Sequence, residues 1–401
     1  MDNKDLMPLI ENYHRRINKI SLKFKRYLYD KINWDARIIC IRGARGVGKT
    51  TLMLQHILET YENIDDTLYA SLDDLWFSDR SLIDLVDWAY RHGIKRLYLD
   101  EVHRYPKWSL TLKNIYDNYP DIGIVYTGSS LLIMEHGDVD LSRRQTPYVL
   151  YGMSFREFLM FNDILKHDAI SLEDLLKNHV RIALKISGEI KVAKYFDNYL
   201  HHGYYPFYNE MPDDFIIRLR EVVNVVIESD LPAVEKMTFE TIQKVKKLLM
   251  IISKSVPFEP NMSTLWKELD TSNDLGLKML YSLDKAQILS LLTPMAKNYK
   301  HLHKPDKIFL DNTNLMFALC NTVDKGNERE TFFNNQLRVS HEIKSPRQAD
   351  FLIDEKYLFE VGGKNKSFDQ IADVPDSYLA IDDTETGYGN RIPLWLFGML
   401  Y

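Results

Sequence analysis

The run Gly43-Ala44-Arg45-Gly46-Val47-Gly48-Lys49-Thr50 fits the phosphate-binding loop pattern G-x-x-x-x-G-K-[ST] at every fixed position. Its flanks are what that pattern needs. Residues 37–42 form a β-branched apolar run that reads as a buried strand, and residues 51–58 carry apolar side chains at helical spacing. In a strand–loop–helix of this kind the glycines let the main chain turn tightly and aim N–H groups at phosphate oxygens, and the helix N-terminus adds partial positive charge. The expected nucleotide contacts are therefore Gly43, Ala44, Arg45, Gly46, Val47, Gly48, Lys49, Thr50 and Thr51. Lys49 would reach the β- and γ-phosphates of ATP, and the Thr50 hydroxyl would hold Mg²⁺. The alternative, a glycine-rich turn that binds nothing, fits poorly with strand and helix both in place.

The next elements alternate. Residues 67–72 read as a strand, 81–92 as a helix, and Arg96-Leu97-Tyr98-Leu99-Asp100-Glu101 as an apolar strand ending in two acids. Behind a complete phosphate loop, that ending suits a Walker B element, with Asp100 in the Mg²⁺ shell and Glu101 polarising the attacking water. A helix over 106–118 leads to a strand ending Thr127-Gly128-Ser129-Ser130. Thr127 and Ser129 are candidates to bond the water or the γ-phosphate, although a strand-end turn with hydroxyl caps fits each equally well. Arg143 or Arg144 could stabilise charge on a transferring phosphate, in its own subunit or a neighbour's; an exposed basic pair stays equally open. A short strand follows at 148–150. Alternating strands and helices imply a parallel sheet with helices on both faces and the nucleotide at the carboxyl ends of the strands. Ahead of the loop, residues 8–34 read as a basic helical lead-in whose Arg15, Arg16, Lys19, Lys23, Lys25 and Arg26 could face a nucleotide, a partner or water, with water the default.

At 401 residues the chain should hold two or three domains. A formal net charge of −6 gives no global pull toward nucleic acid or anionic membrane. Cys40 and Cys320 lie far apart, and Cys40 falls in the first core strand, which argues against a disulfide framework and fits a reducing cytoplasm. The acidic start has no secretion signal, and no apolar run of about 20 residues occurs that could span a membrane.

Residues 42–51, Leu97–His103, Thr127–Ser130, Leu141–Arg144 and Met153–Leu159 occur in that order. The series resembles prokaryotic AAA-type ATPases close to the archaeal-ATPase branch, whose C-terminal half is usually catalogued as a domain of unknown function. The resemblance covers nearly the whole chain. It implies an α/β fold: an ASCE/AAA-type P-loop sheet flanked by helices (1–150) with a glutamate base, then a helical lid (151–235). It also implies a winged helix-turn-helix (236–304). It sets no biological role.

Helical patterns at 154–161, 172–186, 192–200 and 213–228 suit such a lid. His201 and His202 are adjacent without a third ligand nearby and are read as structural. Helices at 241–253, 262–269 and 272–283, a strand at 286–292 and a return strand starting near Lys297 would make the winged helix. Between Glu240 and Lys307 there are 11 lysines against 7 acids. Asn273, Lys278, Ser282 and Lys285 on its third helix are candidates to enter a DNA major groove, with protein contact or simple packing slightly preferred.

The last segment (305–401) opens with a strand at 307–311 and a helix at 330–337. A hairpin at 349–353 and 357–361 and strands at 377–381 and 393–397 follow. Glu330, Asp350 and Glu360 resemble the PD-(D/E)xK nuclease layout, in which carboxylates hold Mg²⁺ and a lysine two residues after the last acid orients water. Here that position is Gly362. Lys364 could return to the site if Gly362-Gly363 bulged, but a retained fold with a dead or altered site is the preferred reading. The function expected overall is Mg²⁺-dependent ATP binding and hydrolysis coupled to conformational change, acting with DNA or a protein partner. A nucleotide-controlled binding switch with little turnover is the alternative, and an ATP-linked nuclease is held in reserve. A homo-oligomer follows only if Arg143 or Arg144 acts between subunits.

Overall fold

The computed structural model describes residues 3–128, 141, 143–235, 237–254, 261–293 and 304–401. The chain divides into two units, Met1–Tyr151 and Gly152–Tyr401, taken here in turn.

The first unit contains α1 (Asn3–Ile17), β1 (Ile38–Arg42), α2 (Lys49–Thr60), β2 (Thr67–Ser71), α3 (Leu82–Arg91), β3 (Arg96–Asp100), α4 (Trp108–Asn118), β4 (Gly123–Gly128) and β5 (Thr146–Val149). The five strands form one parallel sheet in the order β2-β3-β4-β1-β5. A parallel sheet covered on both faces needs apolar side chains on both; Ile38, Ile39, Cys40 and Ile41 are accordingly all buried. Because β4 lies between β1 and β3, the carboxyl ends of these three strands stand side by side, with Arg42 opposite Gly128 and Leu99 opposite Tyr126.

The helical lead-in expected over 8–34 is shorter and earlier, ending at Ile17. Beyond it the chain is irregular apart from one 3₁₀ turn, Tyr29–Lys31. The carbonyls of Ser21 and Phe24 accept from Gln55 Nε2, each at 2.8 Å. A buried side chain of α2 thus supplies partners that a helix would have supplied internally.

The second unit begins with α5 (Phe155–Phe161), α6 (Leu172–Glu189), α7 (Val192–Asn198), α8 (Phe215–Val225) and α9 (Leu231–Glu235). Ser154 caps α5 in a full capping box with Glu157. His201 stacks on Phe317 and His202 on Tyr208, with ring centroids 3.8 and 4.6 Å apart, in keeping with a structural role for both. Next come α10 (Phe239–Ser253), α11 (Met262–Glu268), α12 (Asn273–Lys285), β6 (Leu289–Leu292) and β7 (Lys307–Leu310). The return strand expected near Lys297 lies outside the described residues. The antiparallel partner of β6 is β7, with Leu289 opposite Leu310. The strand expected to open the last segment is therefore the second arm of this hairpin.

The rest is α13 (Thr313–Leu319), α14 (Lys325–Leu337), β8 (Ile343–Lys344), β9 (Phe351–Ile353), β10 (Tyr357–Gly362), β11 (Ser377–Ile381) and β12 (Arg391–Pro393). The sheet order is β12-β11-β10-β9-β8, antiparallel from β8 to β10 and parallel from β10 to β12. Phe333 of α14 meets Phe351, Phe359 and Phe397 with ring centroids 4.8–5.1 Å apart. Burying such a ring stabilises the fold by about 2–3 kcal/mol. The strand expected at 393–397 ends at Pro393, and Leu394–Met399 is a 3₁₀ turn. A proline has no N–H to extend a ladder and sits at the edge strand.

Candidate functional site

Two sequence features shape the phosphate loop. Gly48 sits in the left-handed region (φ 99°, ψ 23°) and starts α2, where a side chain would be strained. A Cβ on Gly43 would lie 2.2 Å from the Leu150 carbonyl oxygen, so only glycine allows that approach. Inside the loop the Lys49 ammonium donates to the carbonyls of Gly43 and Ala44 at 2.9 and 2.8 Å. Ala44 and Val47 are buried, and Thr51 points outward.

Asp100 ends β3 and is 3% exposed. Its Oδ2 accepts from the Thr50 hydroxyl at 2.5 Å and the Tyr69 hydroxyl at 2.9 Å. Its Oδ1 accepts from the buried Thr127 hydroxyl and, at 3.1 Å, from the Glu101 amide. The strand order explains the gathering: Thr127 is the last residue but one of β4, which lies between the loop strand and β3. Burial, then the charge of Asp100, pushes the Tyr69 phenol well above its usual range, so it keeps its proton and donates.

Glu101 adopts a left-handed backbone (φ 51°, ψ 41°) at the start of a 3₁₀ turn, a conformation that costs a non-glycine residue free energy and aims its side chain away from the strand. Its Oε2 lies 3.4 Å from His103 Nε2 and 3.9 Å from the Arg45 guanidinium. That oxygen is buried and accepts no hydrogen bond among the described residues, leaving acceptor capacity for a water. The hard oxygen donors of Thr50 and Asp100 suit Mg²⁺, and the loop amides with Lys49 suit phosphate. The residues present fit both groups.

Other candidates fall elsewhere. Arg144 Nε is 3.2 Å from Asp117, with its guanidinium over the Tyr116 ring, both on α4. Arg143 is exposed. Ser129 lies outside the described residues. Arg26, expected to face water, is 5% exposed and donates to the carbonyls of Val47 and Tyr151; it braces the loop. No local pattern marked Arg26 or Tyr69, and His103 stood only at the end of the Leu97–His103 motif with no role assigned. An arginine 17 residues ahead of Gly43 and a tyrosine opening onto the acidic strand have no fixed spacing to match.

In the second unit, the DNA-facing set expected on α12 is only partly outward. Ser282 is buried and donates to the Lys278 carbonyl. Asn273 is exposed, though its Oδ1 accepts from the Trp266 indole at 3.1 Å; Gly276 leaves room for the Trp266 ring against α12. Lys278 is exposed and Lys285 half-buried. Glu330, Asp350 and Glu360 do come together, but Lys364 is exposed and the lysine at Glu360 is Lys366. Gly362 and Gly363 do not bring Lys364 back. Burial, with the nearby charge of Asp350, raises the carboxyls of both Glu330 and Glu360.

Residues 35–159 match the family model described as an AAA domain, which supports a P-loop AAA-type ATPase. The uncharacterised protein MJ1637 of Methanocaldococcus jannaschii is 27% identical over 317 residues; the match takes in 75% of this chain and 66% of that relative. This chain thus spans just under two thirds of the length of that relative. Among solved structures, the Walker-type ATPase paby2304 of Pyrococcus abyssi has a TM-score of 0.41 at 10% identity, over 74% of this chain and 95% of that one. AMPPCP-bound DnaA from Aquifex aeolicus has a TM-score of 0.25 at 14% identity, over 71% and 89%. Both scores are low, so the functional reading rests on the site's geometry and the matched domain. No helix among the described residues is long and apolar enough to cross a membrane.

Proposed function

We propose that this chain binds ATP with Mg²⁺ and hydrolyses it at the end of the first unit's sheet. The observation that carries the reading is the collar around Asp100, formed by the hydroxyls of Thr50, Tyr69 and Thr127 and the Glu101 amide. It fixes one carboxylate beside the loop threonine while the next carboxylate keeps an open, buried oxygen. In this reading Lys49 and the loop amides hold the triphosphate, and Thr50 and Asp100 hold the metal. The metal, when bound, neutralises charge on the phosphate oxygens. Glu101 orients a water and takes its proton, steadied by His103 and Arg45. Thr127 keeps Asp100 and the Glu101 main chain in register.

Turnover drives a conformational change that acts on a partner. With Ser282 buried and Lys285 half-buried, only Asn273 and Lys278 of the expected set are exposed on α12, so a protein partner is the reading we carry. The test is Glu101→Gln under single-turnover conditions. Hydrolysis should fall by about a hundredfold or more while ATP stays bound. Hydrolysis at the wild-type rate would remove Glu101 as the base.

A further inference from the structure

Three carboxylates far apart in the chain meet at one end of the second unit's C-terminal sheet. Glu330 comes from α14, Asp350 from the residue just ahead of β9, and Glu360 from β10. The nuclease-like layout implies a divalent cation among them. The residues present do not fit one. The Lys307 ammonium lies 3.0 Å from Glu330 Oε2 and 3.3 Å from Asp350 Oδ1, between the two groups. The other Asp350 oxygen accepts from the Val361 amide at 2.9 Å. Glu360 Oε2 is 2.5 Å from the Lys366 ammonium. Among the described residues no group of three or more His, Cys, Asp or Glu side chains is arranged to hold a metal.

This is a built arrangement rather than a passing surface pair. The side chains of Lys307, Glu330 and Asp350 are each 15–17% exposed, so water screens their attraction only in part. Lys307 is fixed by its place in β7, opposite Leu292 of β6. The second lysine depends on Gly362, where a Cβ would lie 2.8–2.9 Å from the Lys366 side chain. Glycine at the position where the nuclease layout has lysine is what lets Lys366 fold back onto Glu360. A dication entering here would displace Lys307 or sit against its positive charge.

We propose that Lys307 is the resident cation of this cluster, standing where a divalent ion would otherwise bind and pinning the β6–β7 hairpin to the acidic end of the C-terminal sheet. The site is closed to metal by the chain's own ammonium.

The test is Mn²⁺ titration of the full chain without nucleotide, read by loss of the free Mn²⁺ spin-resonance signal. Wild type and Asp350→Asn should bind Mn²⁺ alike. Lys307→Ala should gain one site at least tenfold tighter than any in wild type, and adding Asp350→Asn should abolish it. Wild-type Mn²⁺ binding that Asp350→Asn removes would overturn the proposal. So would a Lys307→Ala protein that folds, by circular dichroism, yet gains no site. If Lys307→Ala fails to fold, Lys307→Gln takes its place, and the wild-type against Asp350→Asn comparison still decides.

Discussion

The loop site of the first unit and the acid cluster of the second are both made of lysines and carboxylates, yet they are built in opposite ways. At the loop, Lys49 rests on carbonyls of its own turn and Asp100 on hydroxyls and an amide. The bonds described for each run to neutral groups rather than to the other charge, in keeping with the proposed nucleotide and metal site. At the cluster, Lys307 and Lys366 are spent directly on Glu330, Asp350 and Glu360. Charged residues of the right kinds do not by themselves make a binding site; the groups that hold them matter as much.

Substitutions at each site test that contrast. The largest effect is expected at Arg26. Arg26→Ala removes two charge-assisted bonds to buried carbonyls and should cost the first unit about 3 kcal/mol, with ATP affinity falling in calorimetry. An unchanged affinity would mean the loop holds its shape without the brace. Next is acid sensitivity. His56, behind the loop, stacks on Trp34 and bonds the Tyr98 hydroxyl at 2.6 Å. Burial, then the charge of Arg96, lowers its pKa from 6.5 to about 4. The folded state thus resists a proton that the unfolded state takes up. The stability from this group is full above pH 6.5 and is lost as pH falls toward 4, about 3 kcal/mol in all. Urea midpoints of His56→Gln should therefore change less over that window than those of wild type.

Smaller effects separate the two lysines near β10. Gly362→Ala forces Lys366 off Glu360 and should cost about 1–3 kcal/mol, whereas Lys364→Ala should change the thermal midpoint by the equivalent of less than about 0.5 kcal/mol. Equal effects would contradict the assignment of Lys366. At the loop, Tyr69→Phe removes one of four donors to Asp100 and should cost about 1 kcal/mol of stability, leaving nucleotide binding in place.

The same contrast sets what the sequence made legible. The loop site is local: eight consecutive residues and two acids closing a strand carry most of it, and a short-range pattern finds them. Its braces were invisible because Arg26 reaches Val47 and Tyr151 through the fold, with no register to count. The cluster's acids could be read from their order along a helix and a hairpin. Its lysines could not, since Lys307 belongs to the hairpin of the preceding helices and Lys366 needs the turn that Gly362 permits. The lead-in went wrong for a related reason. Its basic, helix-compatible sequence gave up helix beyond Ile17, where Gln55 offers its main-chain carbonyls other partners.

In the proposed function the first unit grips a nucleoside triphosphate through Lys49 and the loop amides. Calorimetric titration of the full chain with ATP and Mg²⁺, beside Lys49→Ala, tests it most directly. The account predicts saturable heat for wild type and none for the variant. Wild-type protein that gives no heat at millimolar ATP, or a Lys49→Ala variant that binds as tightly, would contradict it.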